Sequence, residues 1–359
     1  HQRVPPPSMQ TIKPKQSASL QLSAPLAAYI TSAYTQNPQD YARELRDLDA
    51  LREQAVSATS FSPQAIDTMQ RYLTELAVLP ERFPVDPENI KISFGWYNFV
   101  VADKAHRPLA LFSIDFERAA VLFNIGAALG RLGGAEVQAA TGGVTPGASL
   151  KRACSYYLQA AGVFEHVAGA VAPLLLNVTC DLHPSLVRGL ADLMLAQAQE
   201  CFYLKAVSDG STKPGVLAKL SAGAASLYAA AHAAFKESPV LAASTADGRP
   251  LVAGALCKHL LLQATADSRK AAEALEEHRY GEEIARLRAV APCSLTCRTR
   301  HPPCPPPLLG VLPAPKRTTS SSFTSPSRHP QTLPPWRPPS WPNRFPTRSP
   351  LSLLPLYLS

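Results

Sequence analysis

From Ile114 to about residue 289 the chain offers almost nothing but helical pattern, which excludes most architectures at once. The run from Ile114 to Leu132 is apolar on most sides. It is interrupted mainly by Asp115, Glu117, Arg118, Asn124 and Arg131, the pattern of a helix enclosed by others. Four further helical patterns follow, at roughly 147 to 172, 184 to 207, 215 to 236 and 249 to 289, each set off by a Pro-, Gly- or Asp-containing break. Long helices joined by short breaks pack as antiparallel neighbours. Alanine is abundant through Ala291, and small side chains let helix axes approach closely, as in solenoids of helix pairs. A fixed repeat of the tetratricopeptide kind is not found.

Upstream the pattern is mixed. The first residues, to Pro14, read as an extended lead-in, and Ala18, Leu20 and Leu22 alternate with polar neighbours as in a short strand. Helical spacing begins at Pro25 with Leu26, Tyr29 and Ile30. It resumes with Tyr41, Leu45, Leu48 and Leu51, and again from Ser62 to Leu79, where Ser62 and Pro63 have the chemistry of an N-cap and a first-turn residue. Ile90, Ile92, Phe94 and Trp96 alternate strictly with Lys91, Ser93 and Gly95, which predicts a half-buried strand. The fold class read from these elements is mostly α, a helical stack with a small sheet near the N-terminus.

Past Ala291 the composition changes. Of the 35 prolines, 18 lie between Pro292 and Ser359, a stretch with no Asp or Glu. Such a segment buries too little apolar area to offset its ordering entropy, so disorder is expected beyond Ala291. The formal charge of +8 belongs to the same stretch, being the sum of Arg298, Arg300, Lys316, Arg317, Arg328, Arg337, Arg344 and Arg348. The body is electrically balanced, which argues against a nucleic-acid surface. The cysteines at 154, 180, 201 and 257 fall on apolar helical segments and read as buried thiols. Cys293, Cys297, His301 and Cys304 match no common zinc spacing, and no metal is expected there. No signal-peptide order and no uninterrupted apolar run of ~18 residues is present, so a soluble intracellular protein is expected.

Candidate chemistry is sparse. The stretch Gly130 to Gly134 lacks the preceding strand and following Lys of a phosphate cradle, and Gly133 and Gly134 read instead as a helix C-cap. His278 with Glu282 and Glu283 reads as a solvated helix face, Asn124 as a structural amide, and Trp96 and Tyr97 as core rather than a base-stacking pair. Phe202 is rotated partly off the stripe Val187, Leu190, Met194, Ala198 and Cys201, so an aromatic is expected at the surface there. Val216 and Leu220 stand four apart beside Lys219, and pattern alone favours placing these apolar residues in the core.

The segments ISFGWYNF, FERAAVLFNIGAALGRLG, LMLAQAQECFYLKAV, VLAKLSAGAASLY and YGEEIARL together resemble the Bro domain family, in its ALIX-like branch, from about Met9 to Ala291. The resemblance implies a curved, boomerang-shaped helical stack with a tetratricopeptide-like core. It implies a lead-in over 1–8, a Bro-like domain over 9–291 and a disordered tail over 292–359. It also implies a non-enzymatic, cofactor-free adaptor of the endosomal sorting (ESCRT) pathway, cytoplasmic and recruited through partners to endosomal membranes. There it would bind the amphipathic C-terminal helix of the ESCRT-III filament subunit. A Bro-domain signalling scaffold of the rhophilin or phosphatase-linked kind is the alternative. Carried over by motif, the binding residues are Phe202, Val216 and Leu220 as apolar anchors, with Leu150, Lys151, Lys205 and Lys219 around them. Three features depart from the family pattern: TPGAS stands where an acidic residue is expected before Leu150, Ser155 replaces a second lysine, and the SDGSTKPG loop is one residue longer. A Bro domain continues several tens of residues past GEEIARL, so its last helices are expected to be missing, through an altered splice or gene model or in a short isoform. PPCPPPLLGVLPAP and TLPPWRPPSWP would suit SH3-type grooves as polyproline II.

Overall fold

The computed structural model describes residues 9–57, 61–100, 107–142, 146–175, 181–243 and 248–300, with side chains as far as Val290. Three helices open the body: α1 (Ser23–Tyr34), α2 (Ala42–Val56) and α3 (Pro63–Val78). Ser62 caps α3 as its chemistry requires, its Oγ accepting the Ala65 N–H at 3.2 Å with Pro63 in the first turn. Asp49 of α2 accepts the N–H groups of Leu22 and Ser23, so α1 starts where a strand through Leu22 was expected.

Two short strands follow. β1 (Phe94–Trp96) pairs antiparallel with β2 (Leu109–Leu111), Phe94 opposite Leu111 and Trp96 opposite Leu109. On its other side β1 meets Gln16 to Ala18, where Ala18 N–H donates to Gly95 O and Tyr97 N–H to Gln16 O. The early strand signal is therefore displaced towards the N-terminus, and β1 has a neighbour on each side. Ile90 and Ile92 lie outside the ladder yet are buried, so the alternation reported burial faithfully and pairing only over its last three residues.

The remaining helices pack in chain order: α4 (Ile114–Gly142), α5 (Pro146–His166), α6 (Pro184–Asp209), α7 (Pro214–Glu237), a short α8 (Pro239–Ala243), α9 (Arg249–Glu276) and α10 (Tyr280–Arg300). α4, α5, α6 and α7 each lie against the next, α7 lies against α9, and α9 against α10. Proline opens α5, α6 and α7, where its missing N–H costs nothing.

Several boundaries differ from the sequence reading. α4 does not stop at Gly133 and Gly134. A side chain at Gly133 would lie 2.9 Å from the Tyr157 ring, so this glycine serves the close approach of α4 to α5 and not a cap. The pattern from 249 to 289 is two helices. Arg279 N–H donates to Ala274 O and His278 N–H to Leu275 O, with His278 left-handed at φ 59°, which is a Schellman termination. A histidine in place of the usual glycine hid it. After His166 the helix widens into a π turn (Val167–Val171) and then tightens into a 3-10 turn (Ala172–Leu175). α10 keeps helical backbone to Arg300, past Ala291 where order was expected to end. Pro146–Leu175 is long and apolar enough to cross a bilayer by length and composition, and here it packs between α4 and α6.

Polar groups inside the body are paired across elements distant in sequence. Glu117 of α4 is buried and receives Arg52 Nε at 2.9 Å, the Tyr72 hydroxyl at 3.0 Å and Trp96 Nε1 at 2.5 Å. Asn124 holds the N-terminal segment, its Oδ1 accepting Lys15 N–H at 2.7 Å and its Nδ2 donating to Lys15 O at 3.0 Å. It is the structural amide the sequence suggested. Lys15 in turn pairs with Asp181.

Burial also sets the response to alkali. Desolvation, then the Glu117 charge, pushes the Tyr72 phenol well up, and desolvation, then Glu200, does the same for Tyr228. Cys154 is pushed up to about 11 by burial, and burial likewise raises Cys201. The folded state thus keeps protons that the unfolded chain releases above 9.0 for thiols and 10.0 for phenols. Their contribution is complete below those values and is lost as pH rises through and beyond them. The urea midpoint should therefore fall from pH 9.0 upward and fall more steeply above 10.0, and Cys201→Ala should flatten the first part.

Candidate protein-interaction face

The residues singled out by motif lie on α5, α6 and α7, three consecutive antiparallel helices. Close approaches between them define the register. A side chain at Gly223 of α7 would meet the Gln199 amide of α6 at 3.5 Å. Stepping three residues forward on α6 and three back on α7 keeps the same face, which brings Phe202 level with Leu220. Val216 stands one turn further along α7, about 6 Å away. On the other flank a side chain at Gly147 of α5 would lie 4.0 Å from Lys205 Cε, which sets Lys151 level with Cys201 and so beside Phe202.

Exposure separates anchors from core. Phe202 is 50% exposed and Val216 48%, large apolar side chains left in solvent, while the α6 stripe Val187, Leu190, Met194, Ala198 and Cys201 is buried. The aromatic expected at the surface is there, and Val216 is not core. Leu220 is half-buried and packs on the core, between the two readings. Leu150 is 4% exposed, a core side chain, so it does not present itself to a ligand. Its neighbour Lys151 is exposed, because adjacent helix positions point about 100° apart.

The charges around the anchors are partly engaged. Lys205 Nζ bonds Asp209 at 2.8 Å, an exposed i,i+4 pair that exchanges at little cost. Lys219 is exposed on α7 near Glu273 of α9. The hydrogen bond from Lys270, and then its charge and those of Arg279 and Lys219, hold the Glu273 carboxyl below its usual range. Ser155, where a lysine was expected, is exposed and accepts from Gln159 Nε2 at 3.2 Å. The one-residue-longer loop closes as Gly210, left-handed at φ 70°, ends α6 and Pro214 starts α7.

Beneath this face lies a polar cluster the sequence did not disclose. Glu200, two residues before Phe202, is buried between Lys258 Nζ at 2.6 Å and the Tyr228 hydroxyl at 2.7 Å. A glutamate inside an otherwise apolar stripe was the available signal. Its partner, on another helix 58 residues away, was not readable.

Among the described residues no three His, Cys, Asp or Glu side chains converge as a metal centre. His278 sits in the α9–α10 turn with its Nδ1 3.2 Å from the Tyr280 hydroxyl, and Arg279 bridges Glu277 and Glu282 at the surface. The Cys293, Cys297, His301 and Cys304 set and the polyproline segments lie outside the described side chains.

Comparison with known proteins agrees with the fold. The chain is 33% identical over 282 residues to the pH-response regulator protein palA/RIM20 of Emericella nidulans, covering 78% of this chain and 31% of that protein. It is 37% identical over 217 residues to the vacuolar protein-sorting protein bro-1 of Neurospora crassa, covering 60% of this chain and 20% of the relative. The chain thus spans about a third or less of the length of these curated relatives. Among solved structures it superposes on the ALIX BRO1 domain in complex with CHMP4C with a TM-score of 0.70 and 27% identity, over 82% of this chain and 81% of that one. The BRO1-like domain model matches residues 9–304, so the chain, with its antiparallel helices and small sheet, belongs to the BRO1-like domain family.

Proposed function

We propose that this chain is a non-enzymatic adaptor of the endosomal sorting pathway that binds an amphipathic helix of an ESCRT-III subunit of the CHMP4 kind across α5, α6 and α7. The observation that carries the reading is the exposure of Phe202 and Val216 on adjoining antiparallel helices, with Leu220 level with Phe202. Two large apolar side chains held in solvent on rigid helices suit a partner helix that buries them. The related ALIX BRO1 structure, which holds CHMP4C, supports the choice of partner. Phe202, Val216 and Leu220 act as anchors. Lys151, Lys205 and Lys219 meet acidic groups at the rim, and Leu150 acts from below by packing the α5 turn that carries Lys151. The adaptor is recruited from the cytoplasm to endosomes through such partners, in line with the sorting role named for bro-1. The polyproline segments serve SH3-type domains.

The test is calorimetric titration of the full chain with the synthetic C-terminal helix of CHMP4C. Saturable one-to-one binding is expected, and no heat or displacement at high micromolar peptide would overturn the reading. Lys151→Ala, a rim change, should weaken binding by no more than ~1 kcal/mol and reduce its dependence on salt. An unchanged salt slope in that variant would remove Lys151 from the contact.

A further inference from the structure

The apolar anchors stand at one end of a longer furrow. On α6 the residues Asp192, Leu195, Gln199 and Phe202 follow at intervals of three, four and three, which places them on one stripe. All four are open to solvent at least in part, and every other residue from Leu190 to Tyr203 is buried. α6 is thus enclosed except along this line. Beside it α7 presents Val216, Leu220, Gly223 and Leu227, also open. Side chains at Gly223 and Gly189 would meet the Gln199 amide at 3.5 Å and Ala234 Cβ at 3.1 Å, so the register holds along the furrow and sets Leu195 level with Leu227. Both leucines rest on the core with one side.

Charge is divided between the two ends. Lys151, Lys205 and Lys219 surround Phe202 and its neighbours. Asp192 lies ten residues back along α6, about 15 Å away, and makes no hydrogen bond or ion pair among the described residues. Its carboxyl is pushed up, first by desolvation and then by the charge of Glu165 on α5. Glu165 and His166 are exposed there, as is Arg188 one turn beyond Asp192, and His232 of α7 turns its Nδ1 to Val252 O of α9. A cation brought to Asp192 would offset both the desolvation and the repulsion.

We infer that the partner helix lies lengthwise in this furrow, its C-terminal end over Phe202 and the lysines and its N-terminal end, bearing a Lys or Arg, over Asp192 and Glu165. This rests on the function proposed above and adds a direction and a charge pattern to it. A helix carries about half a positive charge at its N-terminus and half a negative charge at its C-terminus. Both ends then meet opposite charge, and the reverse orientation sets like against like. Three turns of helix span the distance, with apolar side chains over Leu195 and Leu227 between the ends.

Two forms of the synthetic CHMP4C helix, one with lysine and one with glutamate in the first turn, test this by calorimetric titration into the full chain. The lysine form should bind about fivefold tighter, the upper range for an ion pair at a protein surface. The preference should fade as salt rises. Asp192→Lys should reverse it, and Asp192→Asn, nearly the same shape, should remove it without reversal, with circular dichroism reporting the fold of both. Direction is read separately from methyl resonances. A nitroxide on the peptide N-terminus should broaden those of Leu195 and Leu227, and one on the C-terminus those of Val216. The opposite broadening, an absent preference, or a preference that both Asp192 variants keep overturns the inference and leaves the anchors standing. Failure of both peptides to bind the unaltered chain overturns this inference together with the proposed function.

Discussion

Replacing Phe202 with aspartate should abolish binding of the CHMP4-type helix while leaving the protein folded. The loss should be at least ~2 kcal/mol, about thirtyfold in Kd, as for a central apolar anchor of an interface. The fold should tolerate the change because half of this side chain is already in water, and surface substitutions away from special features usually cost within about 0.5 kcal/mol. Val216→Asp, at a similarly exposed position, should behave alike. Leu220→Asp is a less clean test, because Leu220 packs partly on the core and its loss mixes binding with stability. Calorimetry for binding and circular dichroism for helicity separate the two effects. If the Phe202 and Val216 variants remain folded and bind as before, the groove lies elsewhere on the stack.

The largest effect on stability should come from Glu117→Ala. That change strips three donors of their acceptor in the interior: the Arg52 guanidinium, the Tyr72 hydroxyl and the Trp96 indole N–H. Removing one partner of a buried ion pair costs about 3–5 kcal/mol, since the remaining charge cannot be solvated. Against a total of about 5–15 kcal/mol for a typical domain, this is a large share of the stability. Arg152→Ala makes the contrast. It breaks the Glu136 pair, in which Arg152 is half-exposed, and should cost ~1 kcal/mol or less. Urea unfolding of both variants gives the comparison, and equal midpoints would show that the Glu117 network holds little of the fold. Because Glu117 ties α2, α3, β1 and α4 together, the loss should also loosen the N-terminal third while the α5–α7 anchors stay in place.

The residues read correctly in advance are those whose signal is local. Helical periodicity from Ile114 onward, Ser62–Pro63 as a helix start and Asn124 as a buried amide all follow from chemistry within a few positions of each residue. The misread points are those where a distant partner sets the outcome. Gly133 looks like a cap until the Tyr157 ring is seen against it, and the α9–α10 break is hidden because a histidine adopts the left-handed turn. The candidate face shows the same division. Pattern alone favoured core for Val216 and Leu220, and the family resemblance pointed the other way. Packing leaves Val216 in solvent, half-buries Leu220 and encloses Leu150.

By itself, then, the sequence determined the class of fold, the order of its elements and the motifs of a BRO1-like domain, because helix periodicity and capping are properties of a short stretch of chain. Only the tertiary structure decided which charged side chains meet inside, Glu117 with Arg52 and Glu200 with Lys258, and which apolar ones stay in water. Those outcomes depend on which helix lies across from a given residue. Antiparallel neighbours bring together positions tens of residues apart, and no local pattern records that pairing.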